Sequence, residues 1–188
     1  LDTKEQQLYD EERVYVRSVG SHRYNLTQEL ERLRSMPRVI KAADREWRSG
    51  PQVFHKNMMN PGHGLLQSLH CSIEELAPGG RSQKHGHQNS AMLYVLEGDG
   101  YDIHDGVKYE WHAGDLVVVT PGCVHQHFNA RTDRPARVLI IKGKPLFLFM
   151  GLWFQGFVEK APKTPIPGWE NFKPIDGSYL EKHGEKRA

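Results

Sequence analysis

The chain has 188 residues, 38% of them hydrophobic and 26% charged, with a formal net charge of +2 when histidine is neutral. That length suits one well-buried core and is short for two. Lysine and arginine are interspersed with acids, so no basic stripe points to nucleic acid. The most apolar run, 145–157, is too short to span a bilayer and is broken by Gly151.

Residues 1–24 are charged and weakly patterned, with a hint of a strand at Val14-Tyr15-Val16 and no secretory leader at the start. Asn25 is a plausible N-cap, with Gln28 at the third helical position and Leu26, Leu30 and Leu33 at helical spacing. The pattern predicts one amphipathic helix to about Ser35, packed on the main domain. Pro37 stops it, and Val39 to Ala43 reads as a short strand or turn. Gly50-Pro51, Asn60-Pro61-Gly62 and Gly64 punctuate 48–64 as loop. Residues 1–64 therefore read as an N-terminal extension.

From Leu65 the pattern becomes β-rich. A strand runs to Ile73, Pro78-Gly79-Gly80 turns the chain, and further strands follow at Ala91–Glu97, Leu116–Val119 and Val138–Ile141. Between Tyr101 and Trp111 an Asp105-Gly106 pair supplies the positive φ angles of a type I′ hairpin. Many short strands with frequent Gly/Pro turns argue for an all-β sandwich or barrel over 65–150. The aromatic run from Pro145 to Phe154 reads as subunit interface or barrel-mouth cover. Residues 151–188, with Pro162, Pro165 and Pro167, read as a C-terminal tail along the surface.

Histidine is the unusual residue: eleven in all, six of them from His70 to His125, with His127 just after. His85 and His87 form one i, i+2 pair and His125 and His127 another, each on a predicted strand. Alternating side chains put both members of a pair on one face. Imidazoles converging from two strands make a metal site. His127 could hydrogen-bond substrate or act as a general base, and Gln83 has the parity of His85. His104 and His112, in and beside the hairpin, read as solvated. Cys71 and Cys123 make no disulfide framework, which fits a reducing cytoplasm, and Cys123 reads as an inert buried thiol.

These residues resemble the two motifs of the cupin superfamily, which bracket a small jelly-roll barrel. Gly79, His85, His87 and Gly98 fall in register with the first motif, and Gly114, Gly122, His125 and Asn129 with the second. Thr120 stands where the second motif has its first proline. The resemblance implies a single cupin barrel with His85, His87 and His125 as metal ligands. The family's first-motif glutamate falls on Ala91, so the carboxylate ligand is missing.

The three-histidine pattern is similar to that of gentisate and salicylate ring-cleaving dioxygenases, in which three histidines hold ferrous iron. In those enzymes an arginine six residues after the second histidine grips the substrate carboxylate; here that position is Leu93. The resemblance thus implies an Fe(II)-dependent dioxygenase that uses O₂ to cleave a C–C bond of a small phenolic or diketone-like substrate chelating the metal. Such a substrate would lack a carboxylate at that place unless Arg81 supplies the charge. Imidazole also suits Zn, Mn or Ni, which leaves open a metal-dependent isomerase, lyase or decarboxylase. A non-catalytic ligand-binding cupin is a third class. No nucleic-acid or membrane partner is expected, and a homodimer or higher homo-oligomer is.

Overall fold

A computed structural model describes residues 27–63 and 68–177. The strand read at Val14–Val16, the Asn25 cap and residues Leu65 to Gln67 lie outside these. The chain divides into two compact units, Leu1–Val39 and Ile40–Ala188. In the first, helix α1 spans Thr27–Ser35, with Arg32 and Arg34 in its last turn, where cations meet the negative end of the helix dipole.

The second unit is all-β, as the turn-rich pattern predicts. Its strands are β1 (Trp47–Ser49), β2 (Val53–Met59), β3 (His70–Leu76), β4 (Lys84–His87), β5 (Ala91–Glu97), β6 (Asp99–His104), β7 (Val107–His112), β8 (Leu116–Val119), β9 (Val124–Asn129), β10 (Ala136–Lys142) and β11 (Gln155–Glu159). They form a six-stranded sheet, β1-β2-β3-β10-β5-β8, and a five-stranded sheet, β11-β4-β9-β6-β7. Every pairing is antiparallel. Asp105 and Gly106 both have positive φ, 47° and 88°, as the hairpin between β6 and β7 requires.

Three strands, β1, β2 and β11, lie outside the 65–150 range. β2 was hidden in the segment read as loop because its flanks are Gly/Pro-rich and its inward positions include polar His55 and Asn57. It nevertheless pairs with β3 over Val53↔Leu76 to Asn57↔Ser72. At the other end β11 extends the five-stranded sheet beside β4. The sheets therefore run from Trp47 to Glu159 rather than from 65 to 150.

The apolar core is Ala91, Leu93 and Val95 of β5, Trp111 of β7, Val119 of β8, Cys123, and Ala136, Val138 and Ile140 of β10. It fills one part of the space between the sheets, and polar side chains fill the rest. Gly100 lies where the layers are tightest: a Cβ there would stand 2.2 Å from the Trp111 ring and 2.3 Å from the Phe128 carbonyl oxygen. Gly100→Ala is expected to cost about 3 kcal/mol by overpacking, measured as a lower urea midpoint with an unchanged slope.

The aromatic run is not core. Residues Lys144–Phe149 form helix α2, and Phe149, Leu152, Phe154 and Phe157 are exposed. The tail does hug the surface. Arg137, facing out from β10, pairs with Glu75 at 2.7 Å and donates to the carbonyls of Ile175, at 2.7 Å, and Gly177. Lys56 pairs with Asp176 and donates to the Ala42 carbonyl at 3.0 Å. Both cations are buried, so these contacts satisfy charges that would otherwise be stranded.

Candidate metal centre

β4 and β9 are neighbours in the five-stranded sheet, and His85 and His125 are direct cross-strand partners. Both strands carry histidine at alternate positions, so four imidazoles are brought to one interior patch. The rings of His85 and His125 lie 4.4 Å apart between centroids, His87 and His125 4.9 Å, and His85 and His87 5.4 Å. All three are buried, and their ligand nitrogens lie within 4.8 Å of one another. Nitrogens bound to one tetrahedral ion at about 2.1 Å stand about 3.4 Å apart, so the rings need to draw together by up to about 1.4 Å to close on it.

Each ring is already oriented by the main chain. Nδ1–H of His87 donates to the Asn89 carbonyl at 2.6 Å, that of His125 to Cys123 at 3.1 Å, and that of His85 to Gln83 at 3.5 Å. These bonds fix the tautomer that leaves Nε2 with its lone pair for a metal. Burial, reinforced by the His127 charge, pushes His85 down to about 3 and His125 to about 2. Burial lowers His87 as well. Neutral, oriented imidazoles are the form a divalent ion binds, so the residues fit a metal with three nitrogen donors.

His127 differs from the other three. Its Nδ1 donates to Asp102 Oδ2 at 2.8 Å, and the two residues are register partners on β9 and β6. Asp102 is wholly buried and also accepts from Trp111 Nε1 at 2.9 Å and His104 Nε2 at 3.1 Å. Burial alone would raise the Asp102 carboxyl. The charge on His127 and the three hydrogen bonds outweigh it and hold the group well below the usual carboxylate range. In turn burial would lower His127, but Asp102 with help from Glu74 brings it up to about 9. His127 is thus a fixed cation 5.3 Å, ring to ring, from His125.

Sequence reasoning missed Asp102, because nothing in a hairpin strand marks an acid as inward-facing until its partner strand is known. It also read His104 as solvated, whereas that ring is mostly buried and bonded to Asp102. The remaining site candidates fall in different places. Leu93 is buried in the apolar core. Arg81 is exposed and forms an isolated antiparallel bridge with Phe128 of β9. Gln83 is half-buried and touches the site through its carbonyl. Cys123 is buried, and its thiol is pushed up to about 11, first by burial and then by Asp105, which makes it a poor nucleophile.

The comparisons with known proteins agree with this geometry. The model of the family described as "Cupin domain" matches residues 72–142. A 5-aminosalicylate 1,2-dioxygenase of Comamonas sp is 28% identical over 63% of this chain and 31% of its own length. A gentisate 1,2-dioxygenase of Ralstonia sp is 30% identical over 59% of this chain and 33% of its own. Among solved structures, a variant of salicylate 1,2-dioxygenase from Pseudoaminobacter salicylatoxidans superposes with a TM-score of 0.51 at 26% identity, over 59% of this chain and 33% of that one. The chain spans about a third of the length of the curated relatives it matches. The matched stretch, residues 72–142, holds all four site histidines, and the relatives it aligns with are named as dioxygenases.

Proposed function

We propose that this chain carries the centre of a non-haem Fe(II)-dependent dioxygenase that cleaves a C–C bond of a small aromatic or diketone-like substrate. The observation that carries the reading is the donor set: three neutral, main-chain-oriented imidazoles with Ala91 buried in the core where no carboxylate can join them. Ferrous iron held there would supply open positions for two adjacent substrate oxygens and for O₂. An all-neutral protein shell leaves the ion's charge to be offset by the ligand, which favours a phenolate or enolate.

His85, His87 and His125 hold the ion, and His127 manages the proton. Asp102 keeps His127 cationic with Nδ1–H committed to the carboxylate, so Nε2–H is the atom that gives a hydrogen bond or a proton to a substrate oxygen. Leu93, Val95 and Val138 keep the adjoining interior dry, which strengthens each of those interactions.

Anaerobic loading with Fe(II), followed by O₂ uptake with gentisate, salicylate, catechol and an acyclic β-diketone, tests the reading. The expected result is uptake with at least one of them and loss of the substrate's ring or diketone absorbance. Protein shown to hold iron that consumes no O₂ across the panel would sink it. Turnover in the absence of O₂ would instead favour a metal-dependent isomerase, lyase or decarboxylase.

A further inference from the structure

From Pro145 to Val158 the chain carries no charged residue. Eight large apolar side chains of this segment are exposed, from Leu148 at 40% to Phe149 at 88%. At about 200 Å² for a fully exposed side chain of this size, they present roughly 900 Å² of apolar surface. The largest apolar patch on an ordinary monomer is about 300–600 Å², and each partner in a stable complex contributes about 800 Å². This one segment is therefore large enough to be half of a stable interface.

Its relief supplies both a knob and a hole. The knob is Phe149, at the end of α2. The turn after it is closed by the N–H groups of Met150, Gly151 and Leu152, which donate to the carbonyls of Leu146, Leu148 and Phe147 at 3.0, 3.1 and 2.9 Å. The phenyl ring thus projects from a fixed support. The hole is a cavity of about 250 Å³ beside β4. Gly86 and Gly156 are register partners on β4 and β11. Alternation with the inward His85 and His87 puts them on the outer face of the sheet. With Gly122 they leave the floor of the cavity bare, while Val124, Phe154 and Val158 wall it. An apolar cavity of about 150 Å³ already accepts a benzene ring.

β11 is also the edge of the five-stranded sheet, with exposed Phe157 and Val158 and no charge before Glu159. Proteins ordinarily blunt or cover such an edge. Phe157 is the register partner of His85, its ring stacked on the imidazole at 5.9 Å between centroids. The face that carries the three histidines is therefore open to solvent at this edge. An uncharged face calls for an uncharged partner. Residues 178–188 of the chain match it poorly, with Tyr179 and Leu180 their only large apolar residues among five charges. The segment 145–158 matches itself.

We propose that residues 145–158 form a two-fold interface with a second copy of this chain, Phe149 of each copy entering the glycine-floored cavity of the other. In an isologous pair one patch faces its own image, so the knob and the hole are each used twice. The pair covers the β11 edge and closes the approach to Phe157 beside His85. The interface does not depend on which reaction the metal supports.

Sedimentation velocity of the full chain over a concentration series tests this, with far-UV circular dichroism to confirm that each variant folds. The wild-type protein should sediment as a dimer. Phe149→Asp removes the knob and should raise the dimer dissociation constant by about 10³-fold, because two central contacts are lost per dimer. Gly156→Leu fills the hole from its floor. A Cβ there meets only the Phe154 ring, at 3.8 Å or more, so the strand accepts the side chain while the partner's ring loses its place. It should weaken the dimer to a similar degree. Tyr94→Lys, on the exposed face of β5 in the other sheet, should leave the dimer intact. A wild-type protein that stays monomeric, a dimer that keeps its affinity in either interface variant, or one that Tyr94→Lys dissociates would overturn the proposal.

Discussion

His125→Ala is expected to empty the metal site while leaving the barrel folded. His125 is the central member of the group, with its ring 4.4 Å from His85 and 4.9 Å from His87. Without it only an i, i+2 pair from one strand remains, which cannot close around an ion from two sides. Altering residues that merely support a metal ligand already costs about 10- to 100-fold in affinity, so losing a ligand should cost at least the upper figure. Because burial keeps His125 neutral, its removal strands no charge. The stability cost is that of a small cavity, about 2 kcal/mol. Elemental analysis after dialysis and a thermal melt read the two effects separately. A His125→Ala protein that retains a full equivalent of metal would remove this residue from the ligand set.

Asp102→Ala should behave in the opposite way, damaging the fold as much as the chemistry. The carboxylate is wholly buried and accepts from His127, His104 and Trp111. Deleting it leaves an imidazolium and an indole N–H without acceptors in the interior. Breaking a buried charge pair from one side costs about 3–5 kcal/mol. Asp102→Asn keeps an acceptor for Trp111 but removes the charge that holds the proton on His127. It should fold better than the alanine variant and yet lose about 10²- to 10⁴-fold in turnover, the usual worth of a positioned proton donor or acceptor. The diagnostic is a double-mutant cycle by urea denaturation. His127→Ala removes the stranded cation, so the Asp102→Ala/His127→Ala protein should be more stable than the two single losses added together. Strict additivity would mean that the two groups do not act as a pair.

The two histidine doublets and the Asp-Gly hairpin were legible in the sequence because their information is local: parity within one strand, and turn chemistry within two residues. The cupin register added which three histidines belong together. What escaped was information held between strands. β2 looks like loop because its own composition lacks alternating apolar residues, and only pairing with β3 makes His55 and Asn57 inward residues. Asp102 and His104 are unremarkable polar residues in a hairpin until the register sets Asp102 against His127 and His104 against His125.

The three candidate ligands sit on two adjacent strands of one sheet, His85 and His87 on β4 and His125 on β9. The opposite wall, on β3, β5 and β10, contributes none of them. Inheritance can therefore act on the two walls separately. Substitutions that reshape what the site admits can accumulate on one sheet while the other keeps its grip on the ion. A barrel divided in this way can pass its metal chemistry unchanged to descendants that consume different molecules.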